Sequence, residues 1–199
     1  MTLSRGAARE GDDAGVPAWH NRIVDFAGEL AAVRARLVGD GYRVVVIGGV
    51  ALAAYGCPRM TLDLDIATDA AAQDTLIAFM ESRGFVTLHR SSGFSNHRHA
   101  ERDRGRVDVM YVRDETADRL FASTKELPGP QGHPIAVPKP EHLIAMKVHA
   151  MKDAPERAGQ DLVDIAYLLG VEGVDHDEAR GYFERAGLGG RWRELDEGR

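Results

Sequence analysis

"GGVALAAYGCPRMTLDLDIATD", residues 48–69, sets two glycines directly after a β-branched run and closes on acids inside an apolar pattern. Asp63 and Asp65 alternate there with Leu62, Leu64 and Ile66. On a strand, residues two apart share a face, so both carboxylates point one way and the three apolar side chains the other. The two Cα atoms then stand about 6.5–7 Å apart, close enough for both carboxylates to reach one cation or a close pair. Two unpaired carboxylates buried side by side are costly, so either water reaches that face or something positive sits on it.

A third acid lies further on. In "RVDVMYV", residues 106–112, Asp108 interrupts an otherwise apolar strand and shares its face with Met110 and Val112. If this strand lies beside that of Asp63, three carboxylates converge. Magnesium (or manganese) suits such oxygen donors together with substrate phosphates, and two ions about 3.5–4 Å apart would serve the attacking and leaving oxygens. Asp63 and Asp65 on the solvated face of a half-exposed strand, with Asp108 structural, is the plainer alternative. The three acids together with the upstream glycines favour a metal site.

Gly48 and Gly49 follow "VVVI" and precede a short helical pattern. Glycine lets backbone N–H groups approach a phosphate, and a helix start adds favourable partial charge. A tight strand-to-helix turn is the competing reading. The chain has neither G-x-x-x-x-G-K-[ST] nor G-x-G-x-x-G, so a P-loop is excluded and a dinucleotide fold has little support.

Around this centre, "NRIVDFAGELAAVRARLVGDG" spaces Ile23, Phe26, Leu30, Val33 and Leu37 by three and four, predicting an amphipathic helix that ends at Gly41. "YRVVVIGG" reads as a buried strand, "VALAAYG" as a short helix and "TLDLDIAT" as a strand. "DAAAQDTLIAFMESRG" predicts a helix closed by Gly84, and "FVTLHR" a strand. "HRHAERDRGRVDVMYV" predicts two strands joined by a tight turn at Asp103–Gly105. "ETADRLFAS" is helical and "GHPIAVP" a last short strand. From Pro140 the pattern turns to three helices, "PEHLIAMKVHAMKD", "QDLVDIAYLLG" and "HDEARGYFERAG". The expected organisation is a disordered tail over residues 1–17, a mixed core over 18–138 and a helical part over 139–199 packed on it.

With these residues in view, the chain resembles the DNA polymerase β-like nucleotidyltransferase superfamily, and within it the bacterial AbiEii-type abortive-infection toxins. Gly48, Gly49, Arg59, Thr61, Asp63 and Asp65 carry the likeness, with "RVDVMYV" and the later lysine-bearing helix. The resemblance spans roughly residues 20–170. It implies an α+β fold, a nucleotidyltransferase-like mixed β-sheet with flanking helices followed by a C-terminal helical part. It further implies Asp63, Asp65 and Asp108 as catalytic ligands of two Mg2+ (or Mn2+) ions. Gly48, Gly49, Arg59, Thr61 and Lys147 would bind the NTP. Many members carry serine or threonine after the glycines; Val50 stands here and leaves only backbone contacts at that point.

Lys147 shares a helical stripe with Leu143, Ala150 and Met151, which fits either a site lysine or one that snorkels from the edge of the stripe. Asp161, on a stripe with Ile165 and Leu168, reads as a structural partner of Arg157 or of Lys147. Arg83, Arg90, Arg98, Arg102, Arg104 and Arg106 form a local basic stretch, with Phe94 as a stacking surface. The stretch could guide an RNA acceptor or simply be a solvated hairpin. His97 and His99 have strand spacing and could ligate a metal, although chance alternation among eight histidines is the plainer account.

The remaining composition narrows the class. The 199 residues carry a formal net charge of −6, which argues against a surface that coats nucleic acid throughout. The single cysteine, Cys57, allows no internal disulfide and no cysteine-based zinc knuckle. No apolar run is long enough to cross a bilayer and the amino terminus lacks a signal-peptide core, so a cytoplasmic protein without a membrane partner is expected. The reading that follows is a nucleotidyltransferase moving an NMP from an NTP to an acceptor hydroxyl on a tRNA 3′ end or a protein. By resemblance it is the toxin of a toxin–antitoxin pair with a cognate antitoxin. The alternatives are a silent nucleotide- or partner-binding module and an antibiotic nucleotidyltransferase.

Overall fold

A computed structural model describes residues 26–58, 61, 63–101 and 105–197, without the side chains of Phe26, Arg157 and Glu197. The expected tail over 1–17, Ile23, Arg59, Leu62, Arg102, the turn at Asp103 and Arg104, and the Arg157 pairing therefore lie outside the described residues.

Helix α1 (Phe26–Gly39) buries Leu30, Val33 and Leu37 from its three-and-four pattern. It ends two residues before Gly41, whose φ of +84° only glycine adopts freely. Strand β1 (Val44–Val46) leads into α2 (Gly48–Ala54), which begins on the two glycines themselves. Strand β2 (Asp63–Asp69) buries Leu64 and Ile66 while Asp63 and Asp65 stay half-buried on the other face. A 3-10 turn, Ala70–Ala72, precedes α3 (Gln73–Ser82). Strands β3 (Phe85–Arg90), β4 (Phe94–His99) and β5 (Arg106–Val112) follow. Strand β4 starts at Phe94, earlier than the histidine alternation suggests.

The five strands form one sheet in the order β1-β2-β5-β4-β3. Strand β5 runs parallel to β2 while the other neighbours are antiparallel. Parallel neighbours need a long crossover, and α3 with the β3–β4 hairpin supplies it. Helix α4 (Asp114–Ala122) follows, then a small hairpin of β6 (Lys125–Pro128) and β7 (Pro134–Val137). Strand β6 has no counterpart in the sequence pattern, because "KELP" carries no alternation of apolar residues and pairs only through β7.

Four helices close the chain, α5 (Pro140–Asp153), α6 (Ala158–Leu168), α7 (His176–Arg185) and α8 (Gly189–Glu197), one more than the pattern predicts. Helix α8 is polar along most of its length and is anchored by Trp192 and Leu195, with Trp192 edge-on to Phe183 at 5.5 Å.

One apolar cluster joins the sheet to these helices: Leu64, Ile66, Val107 and Val109 share it with Leu143, Ile144, Ile165 and Phe183. The opposite face of the sheet is covered at only one end, where Ala67, Val45 and Val112 meet Ala117 and Leu120 of α4, with Met110 and Met146 alongside. The other end of that face carries the acids. Among the described residues no helix is long and apolar enough to cross a membrane.

Candidate active site

Parallel pairing fixes where the third acid falls. Asp65 on β2 is the direct partner of Asp108 on β5, and Asp63 is the partner of Arg106. Directly paired residues share a face, so Asp63, Asp65 and Asp108 stand together on one patch of sheet. Strand β4 extends the row, since Asn96 is paired with Asp108 and Arg98 with Arg106.

Asp108 is held closely. Its Oδ1 accepts hydrogen bonds from Arg106 Nε at 2.7 Å and from Asn96 Nδ2 at 2.8 Å. Sequence reasoning places Arg106 in a basic stretch and does not single out Asn96. Only the strand register joins both to Asp108, although Arg106 two residues before it on one strand is a signal for the first.

Glycines 48 and 49 meet β2 at short range. Gly48 adopts φ +61°, and a Cβ there would lie 2.0 Å from Asp65 Oδ2. The Gly49 amide donates a hydrogen bond to the Asp65 carboxylate, and a Cβ at 49 would lie 2.8 Å from the Thr61 Cβ. Thr61 Oγ1 donates to the Asp63 carbonyl at 3.0 Å. The glycines, Thr61 and the two acids of β2 thus form one packed unit. Val50 is buried in the core at 4% exposure.

The electrostatics are those of crowded acids. Burial, reinforced by the charges of Asp108 and Asp63, pushes the Asp65 carboxyl up to about 6, against the opposing Gly49 hydrogen bond and Arg106 charge. Burial also raises Asp63, with Asp108 adding to the rise and Arg106 opposing it. Arg106 is in turn raised by its bond to Asp108 and by all three carboxylates. Among the described residues Arg106 is the guanidinium bonded to this patch, and three carboxylates on one face favour further positive charge.

Hard oxygen donors in this number suit a divalent ion such as Mg2+. As the side chains stand, no group of three His, Cys, Asp or Glu among the described residues closes around a single point. Asp108 Oδ1 is turned to Arg106 and Asn96 instead. The donor chemistry fits the ion, and loading it would require Asp108 to be shared or released.

Lys147 is held in an ion triad between α5 and α6. Its Nζ lies 3.0 Å from Asp161 Oδ1 and 2.5 Å from Asp164 Oδ2, with all three side chains 14% exposed or less. Asp161 therefore has the structural role read for it. Sequence reasoning misses Asp164, although it follows Asp161 by one helical turn.

The basic stretch is largely answered within the chain. Arg83 pairs with Glu29, Arg90 with Asp74 and Arg106 with Asp108, while Arg98 and Phe94 are exposed. His97 and His99 face the core. His97 bonds Ser95 Oγ at 2.7 Å and Thr87 Oγ1 at 3.2 Å. His99 meets the Arg83 carbonyl and accepts from the Glu101 amide, both at 3.0 Å. Both ring nitrogens of each are engaged. An open groove of about 820 Å3 between α1, β1 and β7, lined by Leu30, Val38 and Ile135 among others, contains none of the acids.

The family model described as nucleotidyl transferase AbiEii toxin, Type IV TA system, matches residues 31–196. No curated protein matches by sequence. Among solved structures, the antibiotic-resistance factor ANT(2'')-Ia is similar at TM-score 0.60 and 16% identity, covering 84% of this chain and 93% of its own. The lincosamide antibiotic adenylyltransferase LnuA is similar at TM-score 0.52 and 15% identity, covering 72% and 96%. An antigenic nucleotidyltransferase-like protein from Paracoccidioides brasiliensis is similar at TM-score 0.53 and 16% identity, covering 85% and 90%. These likenesses show the fold.

Proposed function

The chain belongs to the AbiEii nucleotidyltransferase toxin family and is an NTP-using transferase, and from that premise we propose that it moves a nucleoside monophosphate from an NTP to an acceptor hydroxyl at the Asp63–Asp65–Asp108 patch. The observation that carries this reading is the β2–β5 register, which sets Asp108 directly beside Asp65.

Asp63, Asp65 and Asp108 would hold two divalent ions, Mg2+ or Mn2+. When bound, these ions neutralise the triphosphate and lower the barrier to displacement of pyrophosphate. The acceptor oxygen forms a bond to the α-phosphorus as the bond to pyrophosphate breaks. Its proton passes to the Asp108 carboxylate, which the Asn96 bond to Oδ1 keeps oriented. The amides at the start of α2 and Arg59, with Thr61 beside them, orient the phosphates, and Lys147 approaches from α5. In this reading residues 18–138 carry the chemistry and 139–199 pack on that core as a helical part.

The acceptor is a tRNA 3′ end or a protein, and the biological role is that of a toxin held in check by a cognate antitoxin. The test incubates the chain with each of the four α-labelled NTPs, Mg2+ or Mn2+, bulk tRNA and cell lysate, beside an Asp63→Ala, Asp65→Ala control. Label entering RNA or protein only with the intact acids supports the reading. Metal-dependent NTP binding without label in either would turn the assignment to small-molecule acceptors or to a silent binding module. The buried Val50, which offers no hydroxyl at the start of α2, is the feature that favours the silent module.

A further inference from the structure

Among the described residues, Arg106 is the basic side chain whose positive charge acts on both Asp63 and Asp65 while it bonds Asp108 directly. It is the cross-strand partner of Asp63, lies two residues before Asp108 on the same face and stands diagonal to Asp65. Its Nε–Asp108 Oδ1 bond of 2.7 Å is half-open to solvent, the side chains being 42% and 24% exposed. A structural ion pair would gain little from that exposure. The placement has a different consequence. With three acids on one patch, the Arg106 guanidinium supplies positive charge, and it does so by occupying an oxygen of the carboxylate that a metal would need.

We infer that Arg106 is a built-in counter-cation of the acid triad, holding it when no metal is bound and passing to an anionic oxygen of the NTP when metal and nucleotide arrive together. This rests on the proposed metal-dependent site. Arg106 is a positioning residue in this role, and Asn96 keeps Asp108 oriented after the guanidinium leaves, because its bond to Oδ1 does not depend on Arg106. The arrangement disfavours metal without nucleotide. Displacing a paired guanidinium without giving it a new anion leaves a cation beside incoming metal charge, whereas a triphosphate supplies the anion. Metal and nucleotide should therefore load cooperatively.

The test measures Mn2+ binding by electron paramagnetic resonance, alone and with α,β-methylene analogues of the four NTPs, in the full chain and in Arg106→Gln and Arg106→Lys. Circular dichroism confirms that each variant is folded. Arg106→Gln is expected to bind Mn2+ alone about tenfold more tightly than wild type and to bind Mn2+ with nucleotide about tenfold more weakly. Arg106→Lys, which keeps the charge, is expected to stay within about threefold of wild type in Mn2+ alone. That reversal of sign is the signature. A purely structural arginine would, on removal, weaken both measurements, and that result, or no change in either, overturns the inference. If wild type takes up no Mn2+ with any of the four analogues, the proposed metal site fails and the inference with it. Equal binding by wild type and Arg106→Gln sinks the inference alone.

Discussion

Gly48 is glycine because Asp65 occupies the space of its side chain: a Cβ there would stand 2.0 Å from Asp65 Oδ2 and 2.8 Å from the Asp65 Cβ. The second distance matters more, because the terminal oxygen can rotate away and the Cβ is fixed to the strand. The φ of +61° adds strain for any other residue. Gly48→Ala is therefore expected to lower stability by about 2–3 kcal/mol and to displace Asp65 from its partner Asp108. Gly39→Ala is the control, since nothing lies within 4 Å of a Cβ there. It should be neutral or stabilising by up to about 1 kcal/mol. Urea unfolding of the two variants checks both signs.

Much of this geometry is legible in the amino-acid sequence. Period-two alternation places Asp63 and Asp65 on one face and Leu64 and Ile66 in the core, because strand periodicity is a covalent property of the extended chain. The likeness to a known family brings Asp108 to the same place. Register is not legible in this way. Asn96 touches Asp108 only because β4 pairs with β5 at that step, and no local pattern specifies a cross-strand partner. Strand β6 and helix α8 escape for a related reason, as both are polar segments fixed by what they pack against. The glycines read as a phosphate cradle, yet their immediate neighbours in the fold are Asp65 and Thr61. Sequence spacing does not reveal so close an approach.

Acid crowding gives a measurable pH signature. The Asp65 carboxyl is raised to about 6 by burial and by Asp108 and Asp63, above the usual value near 4 of an unfolded chain. The folded state then binds a proton more tightly than the unfolded one, so stability falls as pH rises from about 4 through about 6 and is level above. Asp65→Asn removes that penalty. Without metal it should be more stable than wild type at pH 7 by about 2 kcal/mol, with the difference closing below pH 4. Guanidinium melts of both proteins from pH 4 to 8, in chelator, test it. A constant difference across that range would refute the assignment.

His97 acts in the opposite direction. Burial lowers its pKa below the ordinary histidine value, against weaker opposing charges from Glu81 and Asp108. The neutral ring bonds Ser95, which also meets Tyr111 Oη at 2.7 Å. The unfolded chain therefore takes up the proton first. This contribution to stability is complete above about pH 6.5 and is lost as pH falls from there toward the folded value. Nuclear magnetic resonance titration of the His97 ring should place its midpoint below that of an exposed histidine. In His97→Gln the acid-side loss of stability between pH 6.5 and 5 should diminish.

The Lys147 triad separates a structural from a functional role. Its side chain is 14% exposed, and its partners Asp161 and Asp164 are 12% and 6% exposed. Lys147→Met leaves two buried carboxylates facing each other without a cation, which should destabilise the chain by about 3–5 kcal/mol. Adding Asp161→Asn and Asp164→Asn removes the orphaned charges and is expected to recover most of that loss, because neutral amides in similar volume do not repel. The triple variant is then a folded chain without the lysine. If Lys147 reaches the triphosphate in the loaded enzyme, the triple variant should still bind Mn2+ with nucleotide analogue at least about tenfold more weakly than wild type, the loss of one charge-assisted bond to phosphate. If Lys147 only ties α5 to α6, binding returns with stability. In the first outcome Lys147 has the nucleotide-binding role that the resemblance implies. The two acids then hold the side chain in place until the nucleotide competes for it, as Arg106 is held by Asp108 on the sheet.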